Sequence, residues 1–165
     1  MAKSKFEQSL ADGVHQQLQS LIGTWNGTTK TWFEKDLLAD ESPVEAKITS
    51  ILGNRFISLD YQGSLEGKAV EGKMIIGFDI PYQRFTTSWI DSFHMGTQIM
   101  LSRGEATTKG FSVFGEYGNP EYGEQLWGWQ TTLEIIADNE FILTAFNVSP
   151  EGEEAKATET VYKRK

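Results

Sequence analysis

The spacing of hydrophobic residues along this chain changes period once, near Gly23. Upstream of it, Leu10, Val14, Leu18, Leu21 and Ile22 recur at three- and four-residue steps, with Gln16, Gln17 and Gln19 on the other faces. That spacing predicts a helix over Asp12 to Ile22, with Asp12 as N-cap and Gly23 as a left-handed stop. Its apolar face is expected to plug a core rather than to bind a partner. Residues 1–11 then read as an N-terminal tail and 12–165 as a single domain. Downstream of Gly23 the helical period gives way to short β-branched and aromatic runs separated by turn residues, the pattern of a sandwich or barrel.

About ten strands fit this pattern. They run over Thr24–Phe33, Val44–Ile51, Arg55–Gln62, Val70–Phe78, Arg84–Phe93, Thr97–Ser102, Gly110–Tyr117, Leu126–Ile136, Glu140–Val148 and Ala155–Tyr162. Turns are expected at Leu52-Gly53-Asn54, Gly63 to Gly67, Asp79 to Tyr82, Arg103-Gly104, Asp138-Asn139 and Ser149 to Gly152, and Pro43 to Lys47 reads as a loop or ragged strand end. A parallel crossover needs about a dozen residues or more, and nearly all of these links are shorter. The strands must therefore follow one another antiparallel. A long meander leaves two unpaired edges, and closing it on itself removes both. The expected fold is all-β: an antiparallel up-and-down barrel with a short N-terminal helix.

Composition narrows the function. Fifteen Lys and Arg against 23 Asp and Glu leave a formal net charge of -8, which repels a nucleic-acid backbone and disfavours anionic lipid. No apolar run approaches the roughly 20 residues that span a bilayer. The absence of cysteine removes disulfides, thiolate nucleophiles and thiolate metal sites. No apolar stretch follows the basic residues near Met1, so the expected location is the cytoplasm. No nucleophile elbow, zinc-protease helix, phosphate loop or dinucleotide fingerprint occurs, no metal site is read, and no cofactor is identified.

Several segments carry candidate chemistry. On a strand over Arg84–Phe93, Phe85, Thr87, Trp89 and Asp91 share a face, which places Asp91 near a barrel mouth. There it would accept from a ligand or orient His94 as a base; alternatively it caps a turn and His94 is exposed. Arg55, Ile57, Leu59 and Tyr61 also alternate onto one face, where an inward Arg55 beside Tyr61 would meet an anionic head group; alternatively Arg55 points outward. Trp127 and Trp129 share a face with Thr131, Leu133 and Ile135, as a ligand wall or as plain core. Acid pairs such as Asp60 with Glu71 or Asp91 are numerous in so acidic a chain.

The segments Gly23-Thr24-Trp25-Asn26-Gly27, Leu52-Gly53-Asn54-Arg55-Phe56, Tyr61-Gln62-Gly63, Glu71-Gly72, Ile76-Gly77-Phe78-Asp79 and Trp89-Ile90-Asp91-Ser92 with Met95-Gly96 resemble an uncharacterised bacterial family, domain of unknown function fifteen-seventy-nine. The resemblance implies a calycin or lipocalin-like, nitrobindin-like barrel in which Trp25 packs at the closed end. Barrels of the nitrobindin type bind haem and nitric oxide through a histidine near the C-terminus; this chain departs from that pattern, its histidines being His15 and His94. The leading functional expectation is a barrel that holds a small apolar or amphiphilic ligand between Trp25, Trp89, Trp127 and Trp129, anchored by Arg55, Tyr61 or Asp91. The alternatives are a barrel-mouth enzyme using His94 and Asp91, and the haem-binding barrel. A homodimer is also compatible with the sequence.

Overall fold

The computed structural model describes residues 1–165. Ten strands close into one antiparallel barrel: β1 Gly23–Glu34, β2 Leu37–Ile51, β3 Phe56–Leu65, β4 Lys68–Asp79, β5 Arg84–Asp91, β6 Met100–Ala106, β7 Gly110–Tyr117, β8 Trp127–Ala137, β9 Glu140–Val148 and β10 Glu154–Arg164. Each strand pairs with its chain neighbours, and β10 returns to β1 with Trp25 opposite Arg164 and Thr31 opposite Thr158. The expected meander and its closure are both present.

The helical segment differs from expectation. It begins at Lys5, within the stretch read as a tail, and breaks into α1 Lys5–Asp12 and α2 Val14–Gln19. Ser4, not Asp12, caps α1: its hydroxyl accepts from the Glu7 N–H while the Glu7 carboxylate takes the Ser4 N–H. Gly13 divides the two helices with an extended backbone, and a Cβ there would lie 2.9 Å from Ser9 Cα. Gly23 is the first residue of β1.

Several strand limits move as well. β2 runs through Pro43 to Lys47, where a loop was expected. Its ladder with β3 stops at Val44, so Pro43 faces only β1, opposite Thr28, and its missing N–H interrupts no β2–β3 rung. The β1–β2 hairpin thereby continues past the end of β3, and its Phe33 reaches Phe93 with ring centroids 6.2 Å apart. β6 begins at Met100 rather than Thr97 and runs straight through Arg103 and Gly104, where a turn was expected. Gly104 serves a close approach instead, since a Cβ there would sit 1.8 Å from the Ser112 carbonyl oxygen.

The two ends of the barrel differ. At the end covered by α1 and α2, the interior is packed with Ile48, Ile57, Ile76, Phe85, Phe111 and Phe141, each no more than 1% exposed, beneath Leu18, Leu21 and Trp25. Phe85 stacks on Phe111 at 4.5 Å and Trp25 meets Phe141 edge-on at 4.7 Å. His15, 3% exposed, sits between Phe6 and Phe78, with Nδ1 2.8 Å from Ser9 Oγ. Burial pushes the His15 imidazole below its ordinary value, partly offset by the Arg55 backbone.

Two outcomes are expected. Gly104→Ala must displace backbone of β7, and should lower unfolding free energy by about 1–3 kcal/mol in urea titrations. For His15, the native pKa lies below the unfolded one, so its contribution is complete above about pH 6.5 and is lost as pH falls through the native value. The drop in urea midpoint from about pH 8 to about pH 5 should therefore be smaller in His15→Gln than in the parent protein.

Candidate functional site

The other end is hollow. A cavity of about 100 Å³ opens toward the loops that follow β5, β7 and β9. Leu59, Met74, Trp89 and Trp129 form its apolar wall, and Thr29, Thr31, Thr131, Thr158 and Thr160 place hydroxyls around it. The threonines of β1 and β10 face β5 across the barrel, because those strands lie on opposite arcs of the closed order. Thr29 and Thr160 bond each other at 2.8 Å.

Asp91, the last residue of β5, organises the mouth, and its carboxylate is fully shielded. Oδ1 accepts the backbone N–H groups of Phe93 at 3.0 Å and His94 at 2.5 Å. Oδ2 accepts the Tyr61 hydroxyl at 3.2 Å and also contacts His94 Nδ1. Tyr61 Oη in turn accepts the Trp89 indole N–H at 2.9 Å. Burial would push the Asp91 carboxyl up, but the His94 ring, its charge and the two backbone N–H groups outweigh this and hold it below the usual carboxylate range. Burial, with the Asp91 charge, pushes the Tyr61 phenol far up, so it stays protonated and donates.

The Tyr61–Asp91 bond spans a strand, and Gly72 permits it. In the register Gly72 lies between Tyr61 on β3 and Asp91 on β5. The Tyr61 ring crosses over Gly72, and any Cβ there would sit 2.2 Å from it. The His94 ring lies against Trp89, Trp129 and Phe93, with centroids 5.2, 5.8 and 4.9 Å away. Asp91 fixes Nδ1 as the donor, which leaves Nε2 without a partner in the protein on a ring that lines the cavity. The two readings weighed for Asp91 thus coexist: it caps the turn and it orients His94.

Of the residues singled out from the sequence, Tyr61, Trp89, Asp91, His94 and Trp129 meet at this cavity. Trp25 does not; it lies 1% exposed in the packed end, with its indole donating to the Leu21 carbonyl at 2.9 Å. Arg55 does not either. Leu52, Gly53 and Asn54 take positive φ, the strand starts only at Phe56, and Arg55 stays outside at the helical end, 4.7 Å over the Phe6 ring. Trp127 opens β8 beyond the cavity, 43% exposed. Asp60 faces outward, 2.5 Å from Lys73, so it forms no acid pair with Asp91. The sequence reading missed Tyr162 and the threonines of β1 and β10, and it read Tyr117, the last residue of β7, as part of the following loop. Thr29 with Thr31, and Thr158 with Thr160, are same-face polar pairs two residues apart, a signal present in the sequence. Tyr117 donates to Asn147 at 2.6 Å beside Trp129.

Haem does not fit this arrangement. His15 is enclosed under the helices, and the His94 ring faces a space of only about 100 Å³. No three His, Asp or Glu side chains converge as a metal site requires.

A closed antiparallel barrel, solid at the helical end and hollow at the other, with a short helical segment before its first strand, is a calycin-like barrel. The chain belongs to the family described as protein of unknown function (DUF1579), whose model matches residues 11–164. Among solved structures it is similar to Rv2717c from M. tuberculosis, at 12% identity over 91% of this chain and 96% of that one, with a TM-score of 0.63. It is also similar to the S-type phycobiliprotein lyase CPES from Guillardia theta, at 10% identity over 99% of this chain and 98% of that one, with a TM-score of 0.59. Among curated proteins, none matches.

Gly72→Ala should push Tyr61 off Asp91 and Trp89. The Trp89 indole N–H resonance is expected to shift as it does in Tyr61→Phe, with a loss of about 1–3 kcal/mol in stability.

Proposed function

We propose that this protein binds a small amphiphilic molecule in the hollow end of its barrel. The observation that carries this reading is the unequal filling of one continuous interior. Large side chains close the helical end, whereas at the mouth the same strands turn threonines and a tyrosine–aspartate–histidine network toward an open space. A barrel built only for stability gains from apolar packing at these positions, because every buried hydroxyl must be matched by a partner. Thr31 and Thr131 are each only 4% exposed, yet neither bonds another group of the chain nor is sealed from the cavity. They offer a guest donors and acceptors on one wall, while Trp89, Trp129 and Met74 offer apolar surface on another.

A second reading rests on the same dyad. Asp91 presents His94 with Nδ1 as donor, the orientation that makes Nε2 a general base, so the mouth is also arranged for proton abstraction from a bound substrate.

The test is a filled cavity. Ala145 lines the space at 5% exposure, and Ala145→Phe should occupy it while leaving the helical end unchanged. Native mass spectrometry and solvent extraction of freshly purified protein should show a retained small molecule in the parent and none in Ala145→Phe. A parent that carries nothing, and whose tryptophan emission does not saturate with any member of a panel of single-ring and short-chain amphiphiles, would overturn the proposal. The enzyme reading stands or falls on whether His94→Ala removes a turnover found by substrate screening.

A further inference from the structure

We infer that the outer face of β5 to β8 is where a second copy of this chain docks, about a two-fold axis that runs from Leu101 to Phe114. The inference is independent of what the cavity holds. It starts from closure: every strand is paired on both sides, so no edge is left for another chain to extend, and copies can meet only through faces. Most of the barrel's outside is charged and internally paired. Lys73 pairs with Asp60, Lys156 with Glu159, Lys163 with Glu140 and Lys165 with Glu45, all outside β5 to β8. By contrast β5, β6, β7 and β8 contain no lysine. Their outward positions include Ile90, Leu101 and Phe114, 43%, 67% and 44% exposed, and Ile99, at 64%, precedes β6. Exposed aromatic and aliphatic residues, with arginine in place of lysine, are the composition of an interface centre.

The ring of Phe114 lies down on this face. It covers Gly128 of β8, where a Cβ would sit 2.4 Å from the ring, so the glycine is buried while the ring remains accessible. A recumbent ring flattens the convex outside of a barrel and offers a copy of itself an offset stack.

The pattern around Phe114 is self-complementary. Arg103 on β6 is the cross-strand partner of Phe114 on β7, and continuing that register sets Leu101 beside Glu116. The four side chains mark the corners of a rectangle about 5 Å across the strands and about 7 Å along them. Leu101 and Phe114 occupy one diagonal, and the opposite charges of Arg103 and Glu116 occupy the other. An isologous dimer has its two-fold axis in the plane of the interface, and laying that axis along the apolar diagonal brings Leu101 and Phe114 to their own copies. The same rotation sets Arg103 against Glu116 of the partner subunit, at both ends of the other diagonal. Within one chain Arg103 and Glu116 are exposed and neither takes part in an ion pair. Each is therefore free for the other copy, and the arginine fork suits a carboxylate partner. Strands of seven to eleven residues make this face roughly 20 by 25 Å, the scale of a small interface, so the dimer should exchange with monomer in the micromolar range.

Sedimentation velocity of the full chain, from about 1 to about 300 µM, should show a reversible monomer–dimer equilibrium. Phe114→Glu should weaken association by about thirtyfold or more, and Leu101→Glu serves the same purpose should that variant fail to fold. Arg103→Glu alone and Glu116→Arg alone should each weaken it by about tenfold or more, because each puts like charges together at both corners. An equimolar mixture of those two single variants should recover dimer to the parent's level as a heterodimer, since every carboxylate then faces a guanidinium across the axis. A pairing within one chain does not produce that recovery, so the mixture reads the contact between copies. A parent that stays monomeric throughout overturns the inference. So does a dimer that persists unchanged in Phe114→Glu and Leu101→Glu, which places the contact on another face, and so does a mixture that associates no better than its components.

Discussion

Arg164 closes the last strand opposite Trp25 of the first, and its guanidinium reaches three segments at once. Nη1 donates to the Ile22 carbonyl at 2.7 Å, Nη2 to Ser20 at 2.8 Å and Nε to Asp138 at 3.0 Å, while the planar group lies 4.2 Å over the Trp25 ring. The Ser20 carbonyl is one of those left unpaired where α2 ends and Ile22 lies in the link to β1, so one side chain both joins the β1–β10 seam and fastens the helical plug to it. Gly23 is part of the same device, because a Cβ there would sit 2.5 Å from Nη1 and its φ of +147° suits glycine. Without that seam the barrel has two free edges and no inside.

From the seam follows a division of labour along the barrel axis. The helices, Trp25 and the phenylalanine stack fill the end near Arg164 with apolar side chains. This lets the opposite end carry buried polar groups whose net contribution to stability is small. The mouth network nevertheless meets the physical requirement for such groups: within it both oxygens of Asp91 are matched, and the side-chain atom that is fully enclosed without a partner, Arg84 Nε, lies elsewhere. The hydrogen bonds run across β3, β4 and β5 only because Gly72 lets Tyr61 lie flat over the middle strand.

How far the sequence revealed this depends on what each residue's neighbours are. Period-two alternation placed Phe85, Thr87, Trp89 and Asp91 inside, and Trp129, Thr131 and Leu133 as well, because alternation is a property of the strand alone. It failed for Arg55 and Trp127, which continue the same parity but stand at strand ends, where parity no longer fixes a direction. Glycine misled at Gly104. At Gly104 a turn signal and a close-packing signal look identical in one chain, and only the Ser112 carbonyl in the next strand distinguishes them. The helix start was misplaced because the Ser4 capping box with Glu7 was passed over in favour of the hydrophobic period that begins at Leu10. The bond from Tyr61 to Asp91 was not legible, since it joins residues 30 apart through a register no local pattern encodes.

Because the helical end is solid, the interior is a pocket and not a channel through the barrel, and beyond its hollow end the β1–β2 hairpin brings Phe33 to Phe93. A dead-end chamber of this kind has no through-flow. Water or any other occupant must leave by the route its successor uses, so replacement proceeds by departure first and arrival second, and a crowd of competitors outside cannot hasten it. The pace of turnover in the chamber is then a property of the doorway, not of the concentration beyond it.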